Sequence, residues 1–189
     1  MAKSAATMVC FGSDEIMLSK TSELGPIDPQ ILIRNDQGQP IRYQPAHEIL
    51  ESYQELLASA VSVKGRIEPF LQQLARYDAR DLRNIRSAQD LSTSVAVNML
   101  KRGMLRKKST AQIRKLIRPF TDPKTMKDHG RPVFFEMSKK CGLNVQLVDN
   151  KSVMWRSVWE LYLRLNHLTF TSASKVIETV DESYYSGTS

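Results

Sequence analysis

Apolar and polar residues alternate in two different ways along this chain, and the change comes near residue 45. Before it, short apolar runs are separated by polar or proline-containing segments. The pattern predicts a short helix over residues 4–11 and a short buried strand over residues 14–18. Apolar runs at residues 31–33 and 41–43 flank a polar segment that contains a glycine, and this arrangement predicts a β-hairpin.

After residue 45, apolar residues recur three and four positions apart, as they do along one face of an amphipathic helix. Helices are predicted over residues 45–74 with a break at Lys64-Gly65, 90–105, 110–119 with Ser109 as N-cap, 133–141 and 153–170. Residues 143–148 are expected to form an edge strand directly after a helix that ends at a glycine. Such an order of helix, glycine and strand favours the α/β class.

The length of 189 residues is sufficient for one domain, with or without an appendage. The two cysteines lie far apart, without the spacing of a zinc site or of a disulfide framework. No apolar run reaches the roughly 18 residues of a membrane span, and the first residues lack the pattern of a signal peptide. We therefore expect a cytoplasmic protein with no membrane span in this chain, no metal and no cofactor.

The net charge of +7 is unevenly distributed, and much of the basic excess lies between residues 101 and 127. No aromatic residues are interleaved for base stacking, and no recognisable reading helix is present. A solvated or subunit-facing surface is therefore the preferred interpretation, and nucleic-acid binding is the third and weakest option for the chain. The basic residues are Lys101, Arg102, Arg106, Lys107, Lys108, Arg114, Lys115 and Arg118.

Ser4 stands at the N-terminal end of the first predicted helix, and its position allows two roles. A serine there is most often an N-cap, whose oxygen accepts a hydrogen bond from the first turn. It is also where the helix dipole favours a developing negative charge, as a nucleophile would need. The local pattern leaves both roles open.

Several short motifs in the chain are similar to those of one family. They are Ala-Lys-Ser-Ala-Ala-Thr at 2–7, Asp-Glu-Ile at 14–16, Ser-Glu-Leu-Gly-Pro-Ile-Asp-Pro-Gln at 22–30, His-Gly-Arg-Pro-Val at 129–133 and Cys-Gly-Leu-Asn-Val at 141–145. This set resembles the serine dehydrogenase proteinase family, which is related to the Clp protease proteolytic subunit and to signal peptide peptidase A.

The resemblance implies a Clp/crotonase-like α/β fold, partial and helix-rich, with C-terminal helices. Residues 1–150 would be the C-terminal portion of a serine peptidase domain, and residues 151–189 a helix with a flexible tail. In the family, core strands and a Gly-Gly segment of the oxyanion hole precede the serine. The resemblance therefore leads us to expect that those parts lie outside this chain and that its active site is incomplete.

The same resemblance implies peptide-bond hydrolysis with Ser4 as the nucleophile, a polypeptide substrate and a homo-oligomer. Lys64 and His129 are the candidate proton acceptors, with Lys101 as a further option; a lysine in this role must be buried enough to lose its proton. His47, at a helix start, is expected to be a surface or cap residue. The alternative function is a non-catalytic oligomerisation or interaction module of the same fold.

Overall fold

A computed structural model describes residues 1–35, 37–122 and 132–187 of the chain. The chain divides into two compact units, Met1–Gln146 and Leu147–Ser189. The division lies near the boundary at residue 150 that the resemblance suggests.

The first unit combines helices with short strands, a mixture that is compatible with the α/β class. The helix α1 and the strand β1 are confirmed, and so are the hairpin and the break near Lys64. The elements are α1 Ala5–Phe11, β1 Ile16–Leu18, β2 Gln30–Arg34, β3 Pro40–Pro45, α2 Ala46–Ser62, α3 Glu68–Leu74, α4 Ala79–Arg102, α5 Thr110–Leu116, α6 Arg118–Thr121 and α7 Phe135–Lys140, followed by β4 Val145–Leu147 at the junction of the units.

Two helix boundaries carry information about local chemistry. Helix α4 begins at Ala79 rather than at residue 90, because the carboxylate of Asp78 accepts the backbone N–H of Arg80 at 2.7 Å and caps a polar first half. At the start of α5, the Ser109 hydroxyl accepts the N–H of Gln112, whose side-chain amide accepts the N–H of Ser109 in turn. The predicted Ser109 cap is therefore confirmed.

Around Ser4, single bridges replace longer strands. Ala2 pairs in parallel with Leu24, and Leu24 pairs antiparallel with Val133 on its other side. Parallel neighbours need a crossover connection, and helix α1 lies within the connection between these two positions. This part of the chain is a minimal strand–helix–strand unit, with Ser4 directly after the first strand position and before the helix.

Most of the buried apolar residues of the first unit form two clusters. The larger one contains the fully buried rings of Phe11 and Phe120, which meet edge to face with centroids 5.1 Å apart. The smaller one joins the start of α2 to α4 through Ala46, Ile49 and Ile85. The loop of residues 24–29 runs from the first cluster, where Leu24 is buried, to the second.

The second unit consists of helix α8, Val153–Thr171, and an antiparallel hairpin of β5, Ala173–Glu178, and β6, Ser183–Gly187, with β5 packed against the helix. The predicted helix is confirmed, whereas the hairpin was not predicted. No residue of α8 is buried, although the helix carries Trp155 and Trp159. Within the described ranges, no helix combines the length and the apolar composition that crossing a membrane requires.

Candidate functional site

Ser4 has a backbone conformation that is rare for any residue with a side chain. Its φ is +53° and its ψ is −119°, and it is the only described residue other than glycine with a positive φ. Such a conformation costs about 1–3 kcal/mol and persists only where its surroundings enforce it. A serine on a strained strand-to-helix turn is the geometry of a nucleophile elbow, which presents the hydroxyl outward.

The structure argues against the capping role that the sequence allows for this serine. Ser4 holds the N-cap position of α1, but its side chain makes no capping hydrogen bond. A capping serine would instead have extended backbone angles and accept an N–H from the first turn. Its half-buried hydroxyl is therefore not used in starting the helix.

Tight packing around the loop of residues 24–29 holds the turn in place. The Ser4 N–H donates to the carbonyl of Pro26 at 2.9 Å. The buried hydroxyl of Thr7, on the first turn of α1, donates to the carbonyl of Gly25 at 2.9 Å and lies 3.2 Å from the Gly25 nitrogen. A Cβ at Gly25 would lie 2.5 Å from Cγ of Lys3, so only glycine fits here without displacing the residue before Ser4.

The same loop holds a buried histidine–carboxylate pair at its far end. His47 Nδ1 lies 2.9 Å from Asp28 Oδ2, and the two side chains are 3% and 1% exposed. The expectation that His47 is a surface or cap residue is therefore wrong. The position of His47 near a helix start did not indicate that its side chain is buried.

The hairpin register explains how these two residues meet. Gln30 pairs with Pro45, and the backbone N–H of Ala46 donates to the carbonyl of Pro29 at 2.9 Å. Asp28 and His47 occupy the next opposed positions when the same register is continued. The predicted hairpin therefore contained the signal: extending its pairing towards the open end brings residue 28 opposite residue 47.

The chemistry of this pair is that of an oriented imidazole. An ionised carboxylate only accepts hydrogen bonds, so Nδ1 carries the proton and Nε2 is left as the atom that can take up a further one. The hydrogen bond from His47 to Asp28 raises the pKa of His47 above its ordinary value near 6.5, against the opposing effect of burial. The charges of Glu51 and Glu48 act in the same direction as Asp28. Asp28 and His47 thus have the arrangement of the acid and base in a Ser-His-Asp triad.

The proton acceptors predicted from the sequence, Lys64 and His129, are not part of the Asp28–His47 pair. Lys64 is exposed in the segment between α2 and α3, so the burial that a lysine base needs is not supplied by the described part of this chain. His129 lies outside the described residues. In the described ranges, the Ser4 hydroxyl makes no hydrogen bond to a histidine, lysine or carboxylate. Ser4 is therefore bonded to the loop of residues 24–29 through its N–H, and His47 through Asp28, but among the described residues no hydrogen bond joins Ser4 to His47.

Neither cysteine is suited to nucleophilic chemistry. Burial raises the pKa of Cys141 to about 11 and raises that of Cys10 as well. The reactive form of cysteine is the thiolate, which such burial suppresses. Both are free thiols, and the described residues include no group of His, Cys, Asp and Glu side chains that could hold a metal ion.

A groove of about 760 Å³ lies along β2, directly after the loop. Four consecutive residues, from Ile31 to Arg34, line it. Because successive side chains of a strand point to opposite faces, a groove that touches all four runs along the strand edge. Its opposite wall includes Tyr77 and Leu82, and Ser4 and His47 are not among its lining residues.

Comparisons with protein-family models, with curated proteins and with solved structures find no match to this chain.

Proposed function

We propose that this chain is a serine-peptidase-like protein in which Ser4 is the nucleophile. One observation carries the proposal: Ser4 adopts φ +53° at a strand-to-helix turn while its hydroxyl makes no capping bond. Backbone strain of this kind concentrates at functional sites, because a residue with only a structural role gains nothing from it. The resemblance to the serine dehydrogenase proteinase family supports the same assignment.

His47 is the proton acceptor that the described geometry favours. Asp28 holds its Nδ1 as the carboxylate of a triad holds the base, and both groups border the loop that accepts the Ser4 N–H. A base of this type takes the serine proton as the hydroxyl attacks a carbonyl carbon. Lys64 and His129 stay predictions: Lys64 would need a partner subunit to bury it, and His129 lies outside the described residues.

A polypeptide substrate is supported by the groove along β2. An exposed strand edge offers backbone N–H and carbonyl groups in the spacing that an extended peptide matches. Ile31, the first residue of β2 that lines the groove, comes three residues after Asp28 in the chain, so a peptide paired with β2 would lead towards the loop that carries the site. The Clp/crotonase-like topology belongs to the same proposal.

Covalent labelling tests the nucleophile. Fluorophosphonates react with activated serines, so we expect the wild-type chain to gain one adduct, mapped to Ser4 by peptide mass spectrometry. Ser4→Ala should abolish it. Ser13→Ala is the matched control, because Ser13 is the half-buried serine at the other end of α1, with its hydroxyl bound to the carbonyl of Cys10. Labelling that persists in Ser4→Ala, or no labelling of the wild type, would refute the proposal.

The role of His47 has its own readout. His47→Gln should slow labelling by about 10²–10⁴-fold, the usual contribution of a general base. A base must be unprotonated, so the wild-type rate should rise with pH through a midpoint above 6.5, the ordinary value that the Asp28 bond raises. A rate that is independent of pH between 5 and 9 would exclude His47 as the base.

The second candidate is a non-catalytic interaction module, and helix α8 favours it. This helix has no buried residue although its exposed apolar side chains include Val158 and Leu163. Light scattering on the purified chain would show a mass above 21.5 kDa if these side chains pair between copies. Absence of serine labelling together with a stable oligomer would favour this candidate over the peptidase.

A further inference from the structure

The segment from residue 91 to residue 121 contains no Asp or Glu and carries eight Lys and Arg residues. It covers the second half of α4, the turn after it, α5 and α6. We call the eight side chains the basic surface; they are Lys101, Arg102, Arg106, Lys107, Lys108, Arg114, Lys115 and Arg118. Whether such a surface is merely solvated depends on how many of its charges the rest of the fold neutralises.

Ion pairs among the described residues neutralise none of these charges. Within residues 1–35, 37–122 and 132–187, no member of the basic surface forms a salt bridge. Seven of the eight are exposed, and Lys108 is half-buried. The first half of α4 is a useful contrast, since Asp78, Asp81 and Asp90 there accompany three arginines.

One lysine of the surface organises the turn that presents the others. The Lys101 ammonium donates to the carbonyls of Arg106 at 3.0 Å and Lys108 at 2.6 Å. These bonds fold the turn back on the end of α4, and Leu105 anchors it because its side chain is buried. The cations at 106–108 are therefore displayed on an ordered turn.

A groove of about 660 Å³ lies beside this turn. Arg106, Lys107 and Lys108 line one side of it, together with the amide side chains of Gln112 and Asn144, and Asp14 is the carboxylate among its lining residues. Lysine, arginine and amide donors are the groups that proteins direct at phosphate oxygens.

We propose that the basic surface binds double-stranded nucleic acid through its phosphate backbone. An anionic membrane fits less well, because surface binding to lipid pairs cations with inserted aromatic or apolar side chains. No aromatic residue lies between 101 and 118, and the apolar residues Ile113 and Ile117 are fully buried. An acidic protein also fits less well, because protein interfaces need an apolar centre that this surface does not offer.

The lack of aromatic residues between 101 and 118 also favours a duplex over single strands. Binding of single strands depends on aromatic side chains that stack on the bases. A surface of cations and amides can instead contact phosphates, which gives affinity without sequence preference. The proposal ranks nucleic-acid binding higher than the sequence did, because the sequence could not show that the eight charges have no ion-pair partner among the described residues and that Lys101 bonds the turn carrying three of them.

Fluorescence polarisation with two unrelated 20-base-pair duplexes and one single strand tests the proposal on the full chain. Both duplexes should bind equally well at 50 mM salt, and more tightly than the single strand. If about five phosphates are neutralised, the affinity should fall roughly 500-fold between 50 mM and 200 mM salt. No duplex binding at 50 mM salt, tighter binding of the single strand, or preference for anionic lipid vesicles over the duplex would overturn the proposal.

A matched pair of variants distinguishes binding at the basic surface from a general effect of the net charge of the chain. The double variant Arg106→Glu/Lys107→Glu reverses two charges in the surface, and Arg83→Glu/Arg86→Glu reverses two exposed charges in the first half of α4. Both change the net charge equally. We expect the first variant to lose at least tenfold more duplex affinity than the second. Equal losses would overturn the proposal; circular dichroism confirms that both variants fold.

Discussion

Two regions of this molecule use charge in opposite ways. At the open end of the β2–β3 hairpin, Asp28 and His47 are both buried and bonded to each other at 2.9 Å. Along the basic surface, eight cations have no carboxylate partner among the described residues. The buried pair is costly to disturb because neither group can return to water alone. Apart from Lys101, which bonds the turn after α4, the exposed cations are expected to contribute little to folding.

The largest effect on stability is expected from breaking the buried pair. His47→Ala leaves the Asp28 carboxylate buried without its histidine, which should lower the free energy of unfolding by about 3–5 kcal/mol. Chemical denaturation monitored by circular dichroism measures it. Glu48→Ala, at the neighbouring exposed position of α2, is the control and should change little. A loss below about 1 kcal/mol for His47→Ala would contradict the contrast between the regions.

The pH dependence of the free energy of unfolding is a second test of the Asp28–His47 pair. The Asp28 bond raises the pKa of His47 in the folded state. A raised folded pKa gives stability that is fully present below the unfolded value near 6.5 and is lost as pH rises through the folded value. Asp28→Asn should flatten this decline. A wild-type stability that instead increases with pH over this range would show that the pair is not bonded as described.

The next largest loss of stability is expected from adding a side chain at Gly25. A Cβ there meets Cγ of Lys3 at 2.5 Å, so Gly25→Ala should cost about 1–3 kcal/mol and should also reduce labelling at Ser4 by shifting its neighbour. Gly65→Ala is the control, since no atom lies within 4 Å of its added Cβ. Equal stabilities of the two variants would show that the loop is not packed against the strand position before Ser4.

Relieving the backbone strain at Ser4 should raise the free energy of unfolding, by less than the losses described above. Glycine adopts a positive φ without steric cost, so Ser4→Gly should be about 1 kcal/mol more stable than Ser4→Ala, after allowance for the greater freedom of glycine in the unfolded chain. Both variants lack the hydroxyl, so neither should be labelled. If Ser4→Ala is the more stable variant, the conformation at this position is not strained.

The smallest effect on stability is expected on the basic surface. Arg106→Gln removes an exposed charge that no salt bridge uses, and it should change the free energy of unfolding by no more than about 0.5 kcal/mol. The same variant should weaken duplex binding and reduce its salt dependence by about one unit of slope. A large loss of stability with unchanged binding would remove the distinction between the regions.

Some of the site could be predicted from local pattern, and some could not. The hairpin, the short helix after Ser4 and the rigid loop of residues 24–29 follow from alternation, glycine and proline. The meeting of Asp28 with His47 was within reach, because continuing the hairpin register by two positions opposes them. The position of His47 near a helix start carries no signal of this contact, because Asp28 lies 19 residues earlier in the sequence.

The sequence alone determined where most elements of the first unit lie and where the charge is concentrated, because periodicity and composition are properties of neighbouring residues. Only the tertiary structure decided that Ser4 is strained rather than capping, that His47 is buried and that the basic surface has no carboxylate partner among the described residues. Each of these depends on contacts between distant residues, such as the Ser4 N–H with the carbonyl of Pro26. Backbone strain and burial are imposed by the whole fold, and no short segment encodes them by itself.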